Sequence, residues 1–228
     1  MTTKVLFAWS SGKDSALSLH RLLNDEQIEV TGLLTTVTEG YDRVSMHGVR
    51  RTLLEQQAAS IGLPLSVVSI PQQCTNDDYE SRMRAAMTEQ KQSGIDAVGF
   101  GDIFLEDLRH YREQKLAELE LPALFPIWQE ATTDLAQQLI ELGFAATITC
   151  ADSQAFEGTG VSAEDIVGRR IDASLLRDLP AGIDPCGENG EFHSFVHAGP
   201  IFREPIPVST GEKVLRDERF WYCDVLPA

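Results

Sequence analysis

Through residue 150 the chain alternates between two hydrophobic rhythms. Short, mostly unalternated apolar runs at residues 5–8, 97–100 and 145–150 read as strands buried on both faces, and runs at 30–36 and 65–70 complete a set of five. Between them the pattern is helical, at residues 14–23, 49–61, 76–93, 105–119 and 133–142. Strand and helix in strict alternation predict an α/β fold, a doubly wound parallel sheet with its ligand crevice at the carboxyl ends of the strands. After residue 151 the texture changes. Glycines punctuate the chain at 158, 160, 168, 182, 187 and 190, one short helix is expected at 173–179, and strands at 192–197, 207–215 and 220–226. These predict a smaller C-terminal α+β domain over residues 152–228, its glycine-rich loops closing over the crevice of the domain formed by residues 1–151.

The junction of the first strand and first helix carries Ser10-Ser11-Gly12-Lys13-Asp14-Ser15. A small turn containing glycine lets backbone N–H groups approach phosphate oxygens, and the helix that follows aims its partly positive N-terminus at the same anion. Lys13 adds a point charge, expected to stay exposed until the anion arrives, and Ser10, Ser11 and Ser15 add hydroxyl donors. Asp14 would repel phosphate unless a divalent cation, Mg²⁺, sits between them. The turn is not a Walker loop, which needs glycine where Phe7 stands and Ser or Thr where Asp14 stands.

Charge and cysteine spacing narrow the partners. Of 228 residues, 19 are basic and 35 acidic, a net charge of −16 with no Lys/Arg-rich tract, which disfavours a nucleic-acid substrate. Cys74, Cys150, Cys186 and Cys223 form no C-x-x-C pair, so the usual zinc or dithiol signature is missing. The N-terminus lacks a basic-then-apolar leader and no apolar run approaches membrane-spanning length, so a cytoplasmic protein with no membrane contact is expected.

Other constellations sit at the ends of predicted elements. Gly99-Phe100-Gly101-Asp102 closes the fourth strand at the same face as the phosphate turn; it is half a dinucleotide fingerprint, but Phe104 occupies the third glycine position and NAD is discounted. Arg43, Ser45, His47, Arg50 and Arg51 gather after the second strand, suited either to guiding an anion or to a solvated helix start. Arg109, Arg112 and Glu113 share one helix, and Arg109 with Glu113 has the spacing of an intrahelical salt bridge. Residues 184–194 (D-P-C-G-E-N-G-E-F-H-S) are too polar for core: Glu188 and Glu191 suit Mg²⁺, ammonia or general-base work, His193 a proton shuttle, and Cys186 a buried apolar role.

S-S-G-K-D-S is similar to the PP-loop, S-G-G-K-D-S, of the ATP pyrophosphatases, with Ser11 in place of the first glycine. Together with G-D-I at Gly101, Asp102 and Ile103, L-F-P-I-W at residues 124–128 and G-E-N-G-E-F-H-S at 187–194, the chain resembles the diphthine–ammonia ligase family from about residue 4 to residue 225. These are adenine nucleotide α-hydrolase-like proteins of PP-loop/HUP type. The resemblance implies an ATP-dependent carboxylate–ammonia ligase. ATP is cut between its α- and β-phosphates, AMP passes to the acceptor carboxylate, which in the family is that of diphthine on elongation factor 2, and ammonia displaces AMP. It implies that Ser10, Ser11, Gly12, Lys13, Asp14, Ser15, Gly101 and Asp102 hold ATP, with Mg²⁺ on Asp14. Lys13, Asp14, Glu188, Glu191 and His193 are then catalytic, and Arg50, Arg109, Arg112 and Asn189 hold the acceptor. The diphthamide enzymes carry a pattern like E-G-G-E-Y-E-T where this chain has Asn189 and His193. It therefore resembles a sister subgroup, and its acceptor, protein-borne or small, is left open, a cobalamin-related acid being one alternative. A nucleotide-binding regulatory module is the other class of reading; it would not need the cluster at 188–193. No glutaminase segment is visible, so ammonia comes free or from a partner, and a homodimer is compatible with the pattern.

Overall fold

The computed structural model describes residues 2–45 and 47–228. Six strands make its first sheet: β1 (Thr3–Ala8), β2 (Ile28–Thr38), β3 (Arg43–Val44), β4 (Leu65–Ile70), β5 (Ala97–Gly99) and β6 (Ala123–Leu124). Leu33 of β2 pairs with Phe7 of β1 on one side and Leu65 of β4 on the other, and β5 joins β1 to β6. Five strands thus run parallel in the order β4-β2-β1-β5-β6. β3 pairs antiparallel with β2 beyond the end of β1, through Val37 with Val44.

Helices cover both faces, which is why β1 and β5 need no polar positions. Val5 and Phe7 pack toward α1 (Lys13–Leu23), α2 (Arg51–Ile61) and α5 (Thr132–Glu141), through Leu17, Leu19, Leu53, Leu54, Leu135 and Leu139. Leu6 and Val98 pack on the opposite face against α3 (Asn76–Gln92) and α4 (Glu106–Ala117), through Met87 and Leu116. The expected doubly wound arrangement is present in this sheet.

The strand expected at 145–150 exists as β7 (Ala145–Asp152), but it does not join the parallel sheet. It pairs antiparallel with β8 (Phe192–Ala198) and β10 (Phe220–Pro227), and β10 pairs with β9 (Val208–Arg216), giving the order β8-β7-β10-β9. Its position in the first sheet is taken by the two-residue β6. Every residue of β7 is buried, its polar Thr147, Thr149 and Asp152 included, so this antiparallel strand lacks the exposed face that would have told it from a parallel one. Two short helices, α6 (Ala163–Ile166) and α7 (Ala173–Asp178), flank the second sheet; Asp172 caps α7 by accepting from Ser174 and Leu175 N–H at 2.9 Å each.

One apolar cluster runs from the first sheet into the second, from Trp9 and Ala16 to Ile148 and Phe195. No helix among the described residues is long and apolar enough to cross a membrane.

Candidate active site

The phosphate turn follows β1, at the middle of the parallel sheet. Ser11 has a φ of 71°, left-handed backbone that glycine adopts freely and serine does not, at the position where the PP-loop pattern has glycine. Gly12 is the N-cap of α1, with extended φ and ψ and no capping side chain. A Cβ there would lie 3.1 Å from Cε1 of His47 and 3.2 Å from the Ser194 carbonyl oxygen, so only glycine leaves the turn undisturbed. The Ser10 and Ser15 hydroxyls are 2.7 Å apart, closing the turn on itself.

Lys13 is not exposed, contrary to the expectation for an empty phosphate turn. It is only 3% accessible, its Nζ lies 2.7 Å from Oδ2 of Asp14, and it sits 5.4 Å from the centre of the Phe192 ring. The cover comes from the second sheet: β8 begins at Phe192, and Ser194 Oγ accepts the Lys13 backbone N–H at 3.2 Å. Burial is the largest influence and pulls the ammonium down, but the acidic groups around it, Asp14 first and then Cys186 and Glu188, together outweigh it, and Lys13 is held above its ordinary value. Burial pushes the Asp14 carboxyl up, with Lys13 offsetting part of the shift. Two buried polar atoms here have no protein partner, Ser11 Oγ and Asp14 Oδ1.

Gly101 lies against the start of α1. A Cβ on it would be 2.9 Å from the Ser15 nitrogen and 3.0 Å from the Asp14 carbonyl carbon. Just beyond, Glu188 Oε1 accepts from Ile103 N–H at 3.0 Å and Phe104 N–H at 3.2 Å, tying the 184–194 loop to this turn. Burial, with Asp14 nearby, pushes Glu188 up to about 6, although its two backbone donors pull the other way.

Glu191 is placed differently from Glu188. It is 5% accessible, and its carboxylate accepts from Asp184 N–H at 3.1 Å, Asn189 N–H at 3.0 Å and Asn189 Nδ2 at 3.1 Å. Glu191 and Asn189 therefore fold the loop around themselves. His193 stacks on His47 with ring centroids 4.6 Å apart. Burial and Lys13 hold His193 down at about 4, while burial, His193 and Lys13 hold His47 at about 3.

The arginines are engaged elsewhere. Arg50 donates to Asp224 of β10 from Nε at 3.1 Å and Nη2 at 2.5 Å, and Arg43 shares the same carboxylate at 3.0 Å. Arg109 pairs with Glu113 at 2.8 Å and lies over the Phe125 and Trp128 rings. Arg112 holds Asp102, with Nε 2.8 Å from Oδ2, and covers the Phe100 ring at 4.4 Å. Cys186 is buried, donates to the Thr132 carbonyl at 3.4 Å, and has its thiol pushed up by burial.

One residue at this site has no counterpart in the sequence motifs. Gln57 of α2 is fully buried, accepts from Trp9 Nε1 at 2.9 Å, and donates to the carbonyls of Ser11 at 3.1 Å and Val196 at 2.6 Å. It clamps the phosphate turn to β8. A polar residue on the buried stripe Leu53, Leu54, Gln57, Ala58 was the available signal, since buried amides are kept where every group finds a partner.

A parallel sheet whose central strand ends in a Ser-Gly-Lys turn against a helix N-terminus defines an α/β protein with a PP-loop type of phosphate turn. The profile of the diphthamide synthase N-terminal domain matches residues 3–121, and that of the diphthamide synthase C-terminal domain matches residues 131–225. The chain belongs to the diphthamide synthase family. It is 23% identical over 226 residues to the diphthine–ammonia ligase of Rattus norvegicus, covering 90% of this chain and 83% of that protein. To the diphthine–ammonia ligase of Homo sapiens it is 22% identical over 182 residues, 78% of this chain and 66% of that one. Among solved structures, a predicted subunit of tRNA methyltransferase from Methanocaldococcus jannaschii aligns at 13% identity over 87% of this chain and 100% of that one, with a TM-score of 0.38, too low to carry an argument.

Proposed function

We propose that this protein is an ATP-dependent ligase of the cytoplasm that adenylates a carboxylate and then exchanges AMP for ammonia. The observation that carries the reading is the closure of the 184–194 loop over the phosphate turn. It brings Glu188, a carboxyl held near neutrality, into the same buried pocket of charge as Lys13 and Asp14. A regulatory module would need the phosphate turn but not this second set of groups.

In this reading Ser10, Ser11, Ser15 and the start of α1 receive the phosphates, and the adenosine lies across the carboxyl ends of the sheet. Among the described residues no cluster of three or more His, Cys, Asp or Glu side chains can hold a metal ion. The unpartnered Asp14 Oδ1 still fits Mg²⁺, a hard cation that takes one or two protein carboxylates and fills its shell with phosphate oxygens. Bound there, Mg²⁺ would stabilise charge building on the departing pyrophosphate. Lys13 supplies the same stabilisation from the protein, in a pocket where burial strengthens it.

The acceptor carboxylate attacks the α-phosphorus, and the bond to pyrophosphate breaks. Ammonia then attacks the acyl carbon, AMP leaves, and one proton must be taken up. Glu188, with a value of about 6, is ionised at neutral pH and accepts it. Glu191 and Asn189 hold the loop in shape, and His193 lies beside the phosphate turn. Residues 152–228, with β7, supply the acceptor side.

The test is to incubate the protein with ATP, Mg²⁺, ammonium and a panel of carboxylates and to separate the nucleotides by chromatography. AMP is the expected product, stimulated by one acid and lost in Lys13→Ala. Formation of ADP, or AMP release unaffected by Lys13→Ala, would sink the reading.

A further inference from the structure

We propose that His47 is a second imidazole of the nucleotide site, paired with His193 as one unit that faces the phosphate chain and holds a proton there once nucleotide is bound. This rests on the ATP-binding reading and adds to it a residue from the connection between β3 and α2, outside every motif that marks the site.

The geometry comes first. The His47 ring lies against Gly12, with Cε1 3.1 Å from where a Cβ there would be, and packs against His193 with centroids 4.6 Å apart and planes tilted by 38°. His47 Nδ1 lies 3.3 Å from the Ser194 carbonyl oxygen, which can only accept, so Nδ1 carries the hydrogen and Nε2 is left as a bare acceptor. The His193 ring has no hydrogen bond among the described residues. Two imidazoles therefore stand at the wall of a phosphate turn with nitrogens unspent. An imidazole can donate from its second nitrogen to a phosphate oxygen only after it takes up a proton.

The surrounding charges keep that proton away until nucleotide arrives. From α1 the pair faces Lys13, whose charge disfavours a second cation, and the two rings disfavour each other. From β8 it faces the neutral Ser194 carbonyl, and the Tyr222 ring of β10 packs against Gly48, the next residue after His47. Arg43 of β3 and Arg50 at the start of α2 share the single carboxylate of Asp224. Phosphate oxygens beside Lys13 would reverse the local sign and favour an imidazolium. Nucleotide binding should therefore take up a proton, and affinity should rise as pH falls from 8 toward 6, beyond what the nucleotide's own titration explains.

The test is an NMR titration of the five histidine Cε1–H signals in the full chain, with and without Mg²⁺ and α,β-methylene ATP. His47→Asn and His193→Asn serve to assign two of them. In the free protein both assigned signals should titrate below pH 5. With nucleotide bound, at least one should move up to a midpoint above pH 6, and removing either ring should reduce the shift of the other. Should the variants fail to fold, the wild-type spectra still show whether the most acidic signals respond. Perturbed amides at Gly12 and Lys13 with unmoved imidazoles would overturn this inference alone. Unperturbed amides would overturn the nucleotide reading and this inference with it. A shift of His193 that persists unchanged in His47→Asn would overturn the pairing.

Discussion

At the scale of single residues the site is governed by burial. Glu188 is raised from an ordinary 4.5 to about 6, first by loss of water and then by Asp14. The folded chain thus holds a proton where the unfolded chain has lost it, so this contribution to stability is fully present below pH 4.5 and lost as pH rises through 6. Glu188→Gln keeps an oxygen to accept from Ile103 and Phe104 but cannot ionise. It should be more stable than the native protein by about 1–2 kcal/mol at pH 8, with the two converging near pH 4.5, as read by urea denaturation. Amide formation should fall at least tenfold, and the native rate should climb through pH 6 while the variant's does not. A variant less stable at pH 8 would contradict the burial argument. Of this site, the phosphate turn was legible because its chemistry is local: glycine, lysine and hydroxyls within six residues. The burial of Lys13 was not, because Phe192 and Ser194 lie some 180 residues further along the chain. Nor were the partners of Arg50 and Arg112, since a basic residue looks alike in sequence whether it meets a ligand or a carboxylate of its own chain.

Among elements, the contact that positions the chemistry is that of the β5 turn against the start of α1. Gly101 permits it, since any side chain there meets backbone atoms, which cannot rotate away. Gly101→Ala should separate the turn from α1 by a few tenths of an ångström, destabilise the fold by about 1–3 kcal/mol, and weaken nucleotide binding about tenfold or more. Calorimetric titration with α,β-methylene ATP checks it, and unchanged affinity would mean that the two turns do not form one site. The helices here were readable from periodicity because each presents one stripe to one face of a sheet. β6 and β7 were not. Two residues make no pattern, and a strand covered on both faces shows the same apolar run in either kind of sheet.

For the molecule as a whole, the question is whether two sheets of different construction behave as one body. One apolar cluster joins Trp9 to Phe195 across them. Gln57 and the hydrogen bond from Val196 N–H to the Ser11 carbonyl, at 3.0 Å, tie β8 to the phosphate turn itself. Loss of the second sheet would therefore uncover Lys13 and take from the buried Gln57 its acceptor on Val196, so neither half should survive the other's unfolding. Trp9, just after β1, and Trp221 on β10 report on the two sheets separately. Variants retaining only one or the other should show urea midpoints that coincide. Asp224→Ala, which releases Arg43 and Arg50 of the first half from β10, should lower both midpoints together. The cost should be about 1 kcal/mol, because these arginines are partly exposed. If Trp221 instead reports an earlier transition while Trp9 stays native, the second sheet opens independently. The buried state of Lys13 would then be one of two conformations, and closure over the nucleotide a step of the reaction.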